Sequence, residues 1–186
     1  MKNIKKFLYA DDDSESIKTL FNLRAPSLVL GLLLGITISF ITSNFEKVLT
    51  ENIHVAFFMP FIIYIADAIG TQTEAIYSRD LKSGKTKFYN YLHKEFALGL
   101  IFGSIFGLFS GLIVLWWLQD ILLAVSIGLS ACIAIATAPI VALLVAQILQ
   151  SAHKDPAAGT GPIATVIQDM TSVIIYGIIT SLIMLS

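Results

Sequence analysis

The chain has 186 residues, 56% of them hydrophobic and 13% charged, with a mean hydropathy of +0.80 and a formal net charge of −1. An ordinary soluble domain carries about 25% charged residues, so this composition excludes a soluble globular fold. At about 20 residues per span the length accommodates at most five or six membrane helices with short loops, and it excludes a large extramembrane catalytic domain.

Residues 1–24 are polar, with Lys2, Lys5, Lys6, Lys18 and Arg24 interrupted by Asp11, Asp12, Asp13 and Glu15. No apolar core begins before Pro26, so no cleavable leader is expected. Residues 14–24 fit a short amphipathic helix with Ile17, Leu20, Phe21 and Leu23 on one side, lying on the membrane or against the bundle.

The first membrane helix is expected at 25–45, where Ala25 to Phe45 is an uncharged run of 21 residues, long enough to span by the rise of an α-helix. The second, 52–78, contains two acids. Tyr64, Asp67, Thr71, Glu74 and Ser78 recur at helical spacing on one face, beside Gly70. Counted back from Arg79, Glu74 lies roughly 7 Å deep and Asp67 roughly 18 Å deep. Glu74 is near enough to the boundary to pair with Arg79 or a loop lysine as readily as to line a path. Pro60 removes one backbone hydrogen bond and frees a carbonyl.

The third helix, 91–119, carries Gly99, Gly103, Gly107 and Gly111 at i, i+4 spacing, and the first adds Gly31 and Gly35. Small residues in one stripe let helices approach closely where lipid removes the hydrophobic drive between them. These glycines read as scaffold. Trp116 and Trp117 precede Asp120 at the boundary of that helix, where aromatic anchors sit. The fourth helix, 121–150, is apolar and holds the single cysteine, Cys132. One thiol provides neither a disulfide nor a thiolate cluster.

The fifth helix, 158–186, again contains an acid. Asp169 lies roughly 12 Å beyond Gly161. Gly161, Thr165, Asp169, Ser172 and Tyr176 trace a polar stripe on an otherwise Ile- and Val-rich helix. Intramembrane carboxylates are costly and mark ion paths by default; the plainer alternative is a structural Asp that holds two helices together. The acids of the second helix bracket the depth of Asp169, so the two stripes can face each other.

Of twelve Lys and Arg, eleven fall in residues 1–24, the 79–95 loop and the turn at Lys154, leaving Lys47 alone on the opposite side. Positive charge is retained in the cytoplasm. The expected fold is therefore an all-α membrane protein of five transmembrane helices, N-terminus cytoplasmic and C-terminus outside. It divides into a cytoplasmic segment, 1–24, and a membrane domain, 25–186. His54, His93 and His153 have no second histidine at metal-ligand spacing. There is no nucleophile with a base, and no basic patch interleaved with aromatics, so neither an enzyme nor a nucleic-acid partner is expected.

Residues 153–185 contain Asp155-Pro156-Ala157, Gly161-Pro162, Thr165, Asp169 and Ile175-Tyr176. This pattern resembles the last membrane helix of the MgtE-type magnesium channels and their eukaryotic solute-carrier relatives. Arg24-Ala25-Pro26, Phe58-Met59-Pro60, Gly70-Thr71-Gln72, Arg79 and Lys94-Glu95 fall where that family has similar residues. The resemblance implies a homodimer in the prokaryotic inner membrane that carries Mg²⁺ along a path at the subunit interface, lined by the second and fifth helices. Asp169 would hold the ion from both subunits, with Gly161 and Thr165 facing the same path. The family's G-G-N-x-G-x-Q reads Ala66-Asp67-Ala68-Ile69-Gly70-Thr71-Gln72 here, which loses an asparagine and adds an acid; Glu74 is a second departure. The family's soluble sensing domains have no counterpart in these residues, so magnesium sensing by that route is not expected.

Two Asp169 carboxylates within about 4 Å on a two-fold axis would repel by about 4 kcal/mol at an effective dielectric of 20, which calls for a cation or a shared proton between them. One acid per subunit suits a largely hydrated Mg²⁺. Asp67, Glu74 and Thr71 add auxiliary sites that could admit Mn²⁺, Co²⁺ or Ca²⁺. Two other readings stay open: a proton- or sodium-coupled exchanger, and a non-transporting membrane subunit of a larger complex.

Overall fold

The computed structural model describes residues 13–81, 86–151 and 156–186, with the side chains of 149–151 and 156–161 outside that description. The described residues form six helices: α1 (Ile17–Ser43), α2 (Glu46–Glu51), α3 (Ile53–Leu81), α4 (Phe88–Leu118), α5 (Ile121–Ser151) and α6 (Pro156–Met184). Five of them, all but the six-residue α2, are long and apolar enough to cross a membrane, the number the sequence predicts.

The starts and stops follow local chemistry. Ser16 caps α1 by accepting the Thr19 amide at 3.2 Å, so the segment expected as a separate amphipathic helix is, from Ile17, the first turns of α1. The helix continues through Pro26, and only one early backbone bond is lost there. Asn52 accepts the amide of His54 at 3.0 Å as α3 begins. Between α4 and α5 the chain reverses in two residues. Gln119 takes a left-handed conformation, φ 56°, to end α4, and Asp120 Oδ1 accepts the Leu123 amide at 3.0 Å to start α5.

The core is built around α5, where Leu123, Ile127, Ala131, Ala134, Ile135 and Ala138 are buried. Helices α3, α4 and α6 pack on it, while α1 packs on α6. The glycine stripe explains the closeness of α4 and α5. A Cβ at Gly99 would stand 2.8 Å from the Ala136 carbonyl oxygen, one at Gly107 2.6 Å from that of Gly128, and one at Gly111 3.0 Å from that of Ala124. The stripe is used inside the chain. At the opposite flank α1 buries only Ser27 and exposes Leu28, Leu32, Leu33 and Phe40.

The two ends of the bundle are pinned by polar contacts that need interhelical partners in a dry environment. At one end Tyr176 OH donates to the Val55 carbonyl at 2.5 Å, joining α6 to α3. At the other, Thr73 donates to Glu95 at 2.7 Å and Tyr77 to Gln147 at 2.5 Å, tying α3 to α4 and α5. Arg79 meets Asp80 at 2.9 Å, and Tyr91 OH also donates to Asp80. These contacts hold α3 at a fixed rotation, which positions its acids.

Candidate functional site in the membrane-spanning helices

Rotation of α3 is set by its buried face, Val55, Ile62, Ala66, Gly70, Thr73 and Tyr77. Asp67, Thr71 and Glu74 lie on the flank of that face: Asp67 and Glu74 are half-buried, and Thr71 is exposed. On α6 the buried face runs through Ala164, Gln168, Ser172 and Tyr176 at four-residue steps, which leaves Thr165 and Asp169 half-buried beside it. The two flanks meet. Thr165 hydrogen-bonds the Asp67 carboxylate, and Asp67 and Asp169 are close enough to interact through their charges.

Next to this contact is a cleft of about 180 Å³, counted with its open mouth. Its walls are Asp67, Gly70, Thr71 and Glu74 of α3, Ala142 of α5, and Ala164, Thr165 and Gln168 of α6. Four of the six residues singled out in the sequence, Asp67, Thr71, Glu74 and Thr165, therefore line one space. Asp169 is not among its walls; it is coupled to it through Asp67. Gly161 lies in α6 within the stretch whose surroundings are outside the described residues. Tyr64, placed on the same stripe as Asp67, is 70% exposed and points away from the bundle.

Gln168 is a wall of the cleft that the sequence reading passed over. It is 3% exposed. Its Nε2 donates to Ser172 Oγ at 3.3 Å, and its Oε1 has no hydrogen-bond partner. A buried acceptor left in that state costs about 1–3 kcal/mol. The signal was present: Gln168 falls one turn before Ser172 and two before Tyr176, so it shares the face those residues occupy.

Among the described residues no group of three His, Cys, Asp or Glu side chains converges. Such a cage is what a tightly held, dehydrated ion requires. What the arrangement offers is a pair of interacting carboxylates with hydroxyl and amide oxygens around them, all hard oxygen donors.

Comparison with known proteins gives one family. Residues 59–179 match the family model MgtE, described as a divalent cation transporter. The chain is 32% identical over 164 residues to a magnesium transporter MgtE of Enterococcus faecalis, covering 87% of this chain and 36% of that protein. It is 28% identical to the magnesium transporter MgtE of Bacillus subtilis, covering 86% and 36%, and 26% identical to that of Thermus thermophilus, covering 80% and 34%. The chain thus spans about a third of the length of the curated relatives it matches.

Proposed function

The chain belongs to the MgtE family of divalent cation transporters, and from that premise we propose that it is an integral membrane protein that carries Mg²⁺ as a two-fold homodimer. The single observation that carries the reading is the polar junction of α3 and α6, where Thr165 bonds Asp67 and Asp67 senses Asp169 inside spans that are otherwise apolar. Intramembrane acids persist where they serve a path, and the relatives' names supply the cargo.

In this proposal Asp169 is the central ligand. It is half-buried in a single chain, so a second copy could bring an identical carboxylate to it across a two-fold axis. Two carboxylates suit a hydrated Mg²⁺. Thr165 and Gly161 face the same path from α6. Asp67, Thr71 and Glu74 act as auxiliary oxygens from α3, and the extra charge of Asp67 and Glu74 widens acceptance to Mn²⁺, Co²⁺ or Ca²⁺. The eleven-to-one distribution of Lys and Arg supports an orientation with the N-terminus and residues 1–24 in the cytoplasm and the C-terminus outside. Residues 25–186 form the transport domain, in a prokaryotic inner membrane. No covalent step is required of the protein.

The test is Mg²⁺ uptake into proteoliposomes, wild type beside Asp169→Asn, without an imposed pH or sodium gradient. The expected result is a loss of at least ~10-fold in flux with the dimer retained; wild-type flux in the variant would sink the assignment. The neighbouring Asp67 and Asp169 favour one second reading, proton-coupled exchange, since two interacting acids can share a proton. Flux that appears only under an imposed pH gradient would select it.

A further inference from the structure

Between Asp80 and Glu95 the sequence holds Lys82, Lys85, Lys87, Lys94 and His93, with no acid among them. The two acids that bracket this stretch are both engaged. Asp80 meets Arg79 and Tyr91, and Glu95 accepts the Thr73 hydroxyl at 2.7 Å. The first turns of α4 thereby sort their side chains by rotation. Phe88, Tyr91 and Leu92 pack on the small core around Tyr77 and Leu143, whereas Lys87, Tyr89, Asn90, His93 and Lys94 are exposed. Among the described residues neither Lys87 nor Lys94 has an ion pair; at the opposite end of the bundle Lys47 has Glu51 at 3.9 Å.

Helix length sets the depth of these cations. The 31 residues of α4 make about 46 Å of helix, against a hydrocarbon layer of about 30 Å. With Trp117 anchored at the far boundary, a span of about 20 residues reaches back to Leu98. Lys94 then stands roughly 6 Å and Lys87 roughly 16 Å beyond the hydrocarbon, and long lysine stems let both ammonium groups bend back into the headgroup layer. Towards the bilayer centre the same flank becomes apolar: Tyr89, His93, Phe96 and Leu100 recur at helical spacing, and Phe96 and Leu100 are exposed. A free phosphate would use only the cationic half of this surface. A lipid with an anionic headgroup matches both halves, since a juxtamembrane cluster of lysines attracts such headgroups.

We infer that the exposed flank of α4 at Lys87, His93 and Lys94 binds an anionic phospholipid, the lysines holding its phosphate and an acyl chain lying along Phe96 and Leu100. The inner side of the same turns carries Tyr91 and Glu95, which tie α4 to Asp80 and Thr73 of α3. An occupied surface therefore stabilises the end of the bundle where α3 and α4 are joined. The inference needs only that the chain spans a membrane; it does not depend on the cargo, on a second copy, or on which side of the membrane this end faces.

The test is the thermal midpoint of the full chain in neutral detergent, titrated with phosphatidylglycerol as mixed micelles beside phosphatidylcholine and inorganic phosphate. Phosphatidylglycerol is expected to raise the midpoint saturably, and the other two are not. Lys87→Gln with Lys94→Gln should raise the phosphatidylglycerol fraction needed for half the effect by about 10- to 30-fold. Lys87→Arg with Lys94→Arg should keep the response, and Lys47→Gln, at the other end, should keep it too. If the double glutamine variant does not fold, Lys94→Gln alone is read, with an expected change of about 5-fold. A wild-type response in the folded glutamine variant overturns the inference, as does an equal rise with phosphatidylcholine. An equal rise with inorganic phosphate overturns the lipid reading in favour of a free anion. A loss of the same size in Lys47→Gln would mean that net charge is being read and not this surface, and overturns it as well.

Discussion

Thr165 of α6 donates its hydroxyl to the carboxylate of Asp67 on α3, so the two acid-bearing helices are joined directly at a polar contact. The bond orients Asp67 while leaving its remaining lone pairs for the cleft and for interaction with Asp169.

Thr165→Val removes that donor at nearly constant volume. Interhelical hydrogen bonds in membrane proteins are worth ~0.6 kcal/mol on average, so the thermal midpoint of the detergent-solubilised chain is expected to move little. Transport should change more than stability, because an unoriented Asp67 alters what the path accepts. The check is Mg²⁺ against Mn²⁺ uptake: the ratio is expected to shift in Thr165→Val and to return in Thr165→Ser, which restores the hydroxyl. An unchanged ratio in both would show that Thr165 is only a helix fastener.

The α4 glycines make the opposite kind of prediction. A methyl at Gly107 would sit 2.6 Å from the Gly128 carbonyl oxygen and 2.8 Å from Cys132 Cβ. Backbone cannot yield as a flexible side chain does, so α4 and α5 must separate and lose dispersion contacts along their length. Gly107→Ala is expected to lower stability by about 1–3 kcal/mol, the usual cost of overpacking. Gly35→Ala is the control, since nothing lies within 4 Å of its added Cβ; it should gain slightly from helix propensity. Thermal midpoints of the two variants decide the matter.

How far the sequence could be read follows from which forces act locally. Long apolar stretches require helices, because a backbone in lipid must satisfy its own hydrogen bonds, and the structure has the five long apolar helices that the sequence predicts, two of them carrying acids. The join of 17–24 to the first span was less legible. Pro26 and the change from polar to apolar suggest a break, but a proline near a helix start costs little, and Ser16 supplies the cap upstream. On α6 the acid at Asp169 drew attention away from Gln168, since charge in a membrane is a stronger signal than an amide. Four-residue steps back from Tyr176 through Ser172 reach Gln168, and the period of the buried face would have found it. That Thr165, and not Asp169, makes the direct bond to Asp67 depends on the rotations of two helices set by Tyr77, Tyr176 and the α5 core. No single segment encodes that.

Not every acid near a span serves ions. Asp120 caps α5, its Oδ1 holding the Leu123 amide at 3.0 Å, in the two-residue turn after Trp116 and Trp117. Asp120→Ala is expected to cost about 1 kcal/mol, the typical value of an N-cap, and Asp120→Ser to recover most of it. Divalent-cation flux per folded protein should be the same in both variants as in wild type. A flux defect in Asp120→Ser with normal stability would instead place this acid on the ion's route.

Tyr176 joins the far ends of α6 and α3. Its hydroxyl is buried and donates to the Val55 carbonyl at 2.5 Å, across 121 positions of sequence. Val55 is in the first turn of α3, so this bond fixes where that helix begins relative to α6, some two turns of α6 beyond Asp169. Tyr176→Phe keeps the ring and removes one donor. The expected loss is about 0.6–1.7 kcal/mol, the range seen for such bonds in membrane proteins. The same change should leave Mg²⁺ flux per folded protein intact, because the Asp67–Thr165 contact and the α5 core still hold the middle of both helices. Thermal midpoint and proteoliposome flux measured on one preparation separate the effects. A stability loss with normal flux confirms a clamp at the helix ends, whereas a tenfold fall in flux would mean that the rotation of α6 at Asp169 is set from Tyr176.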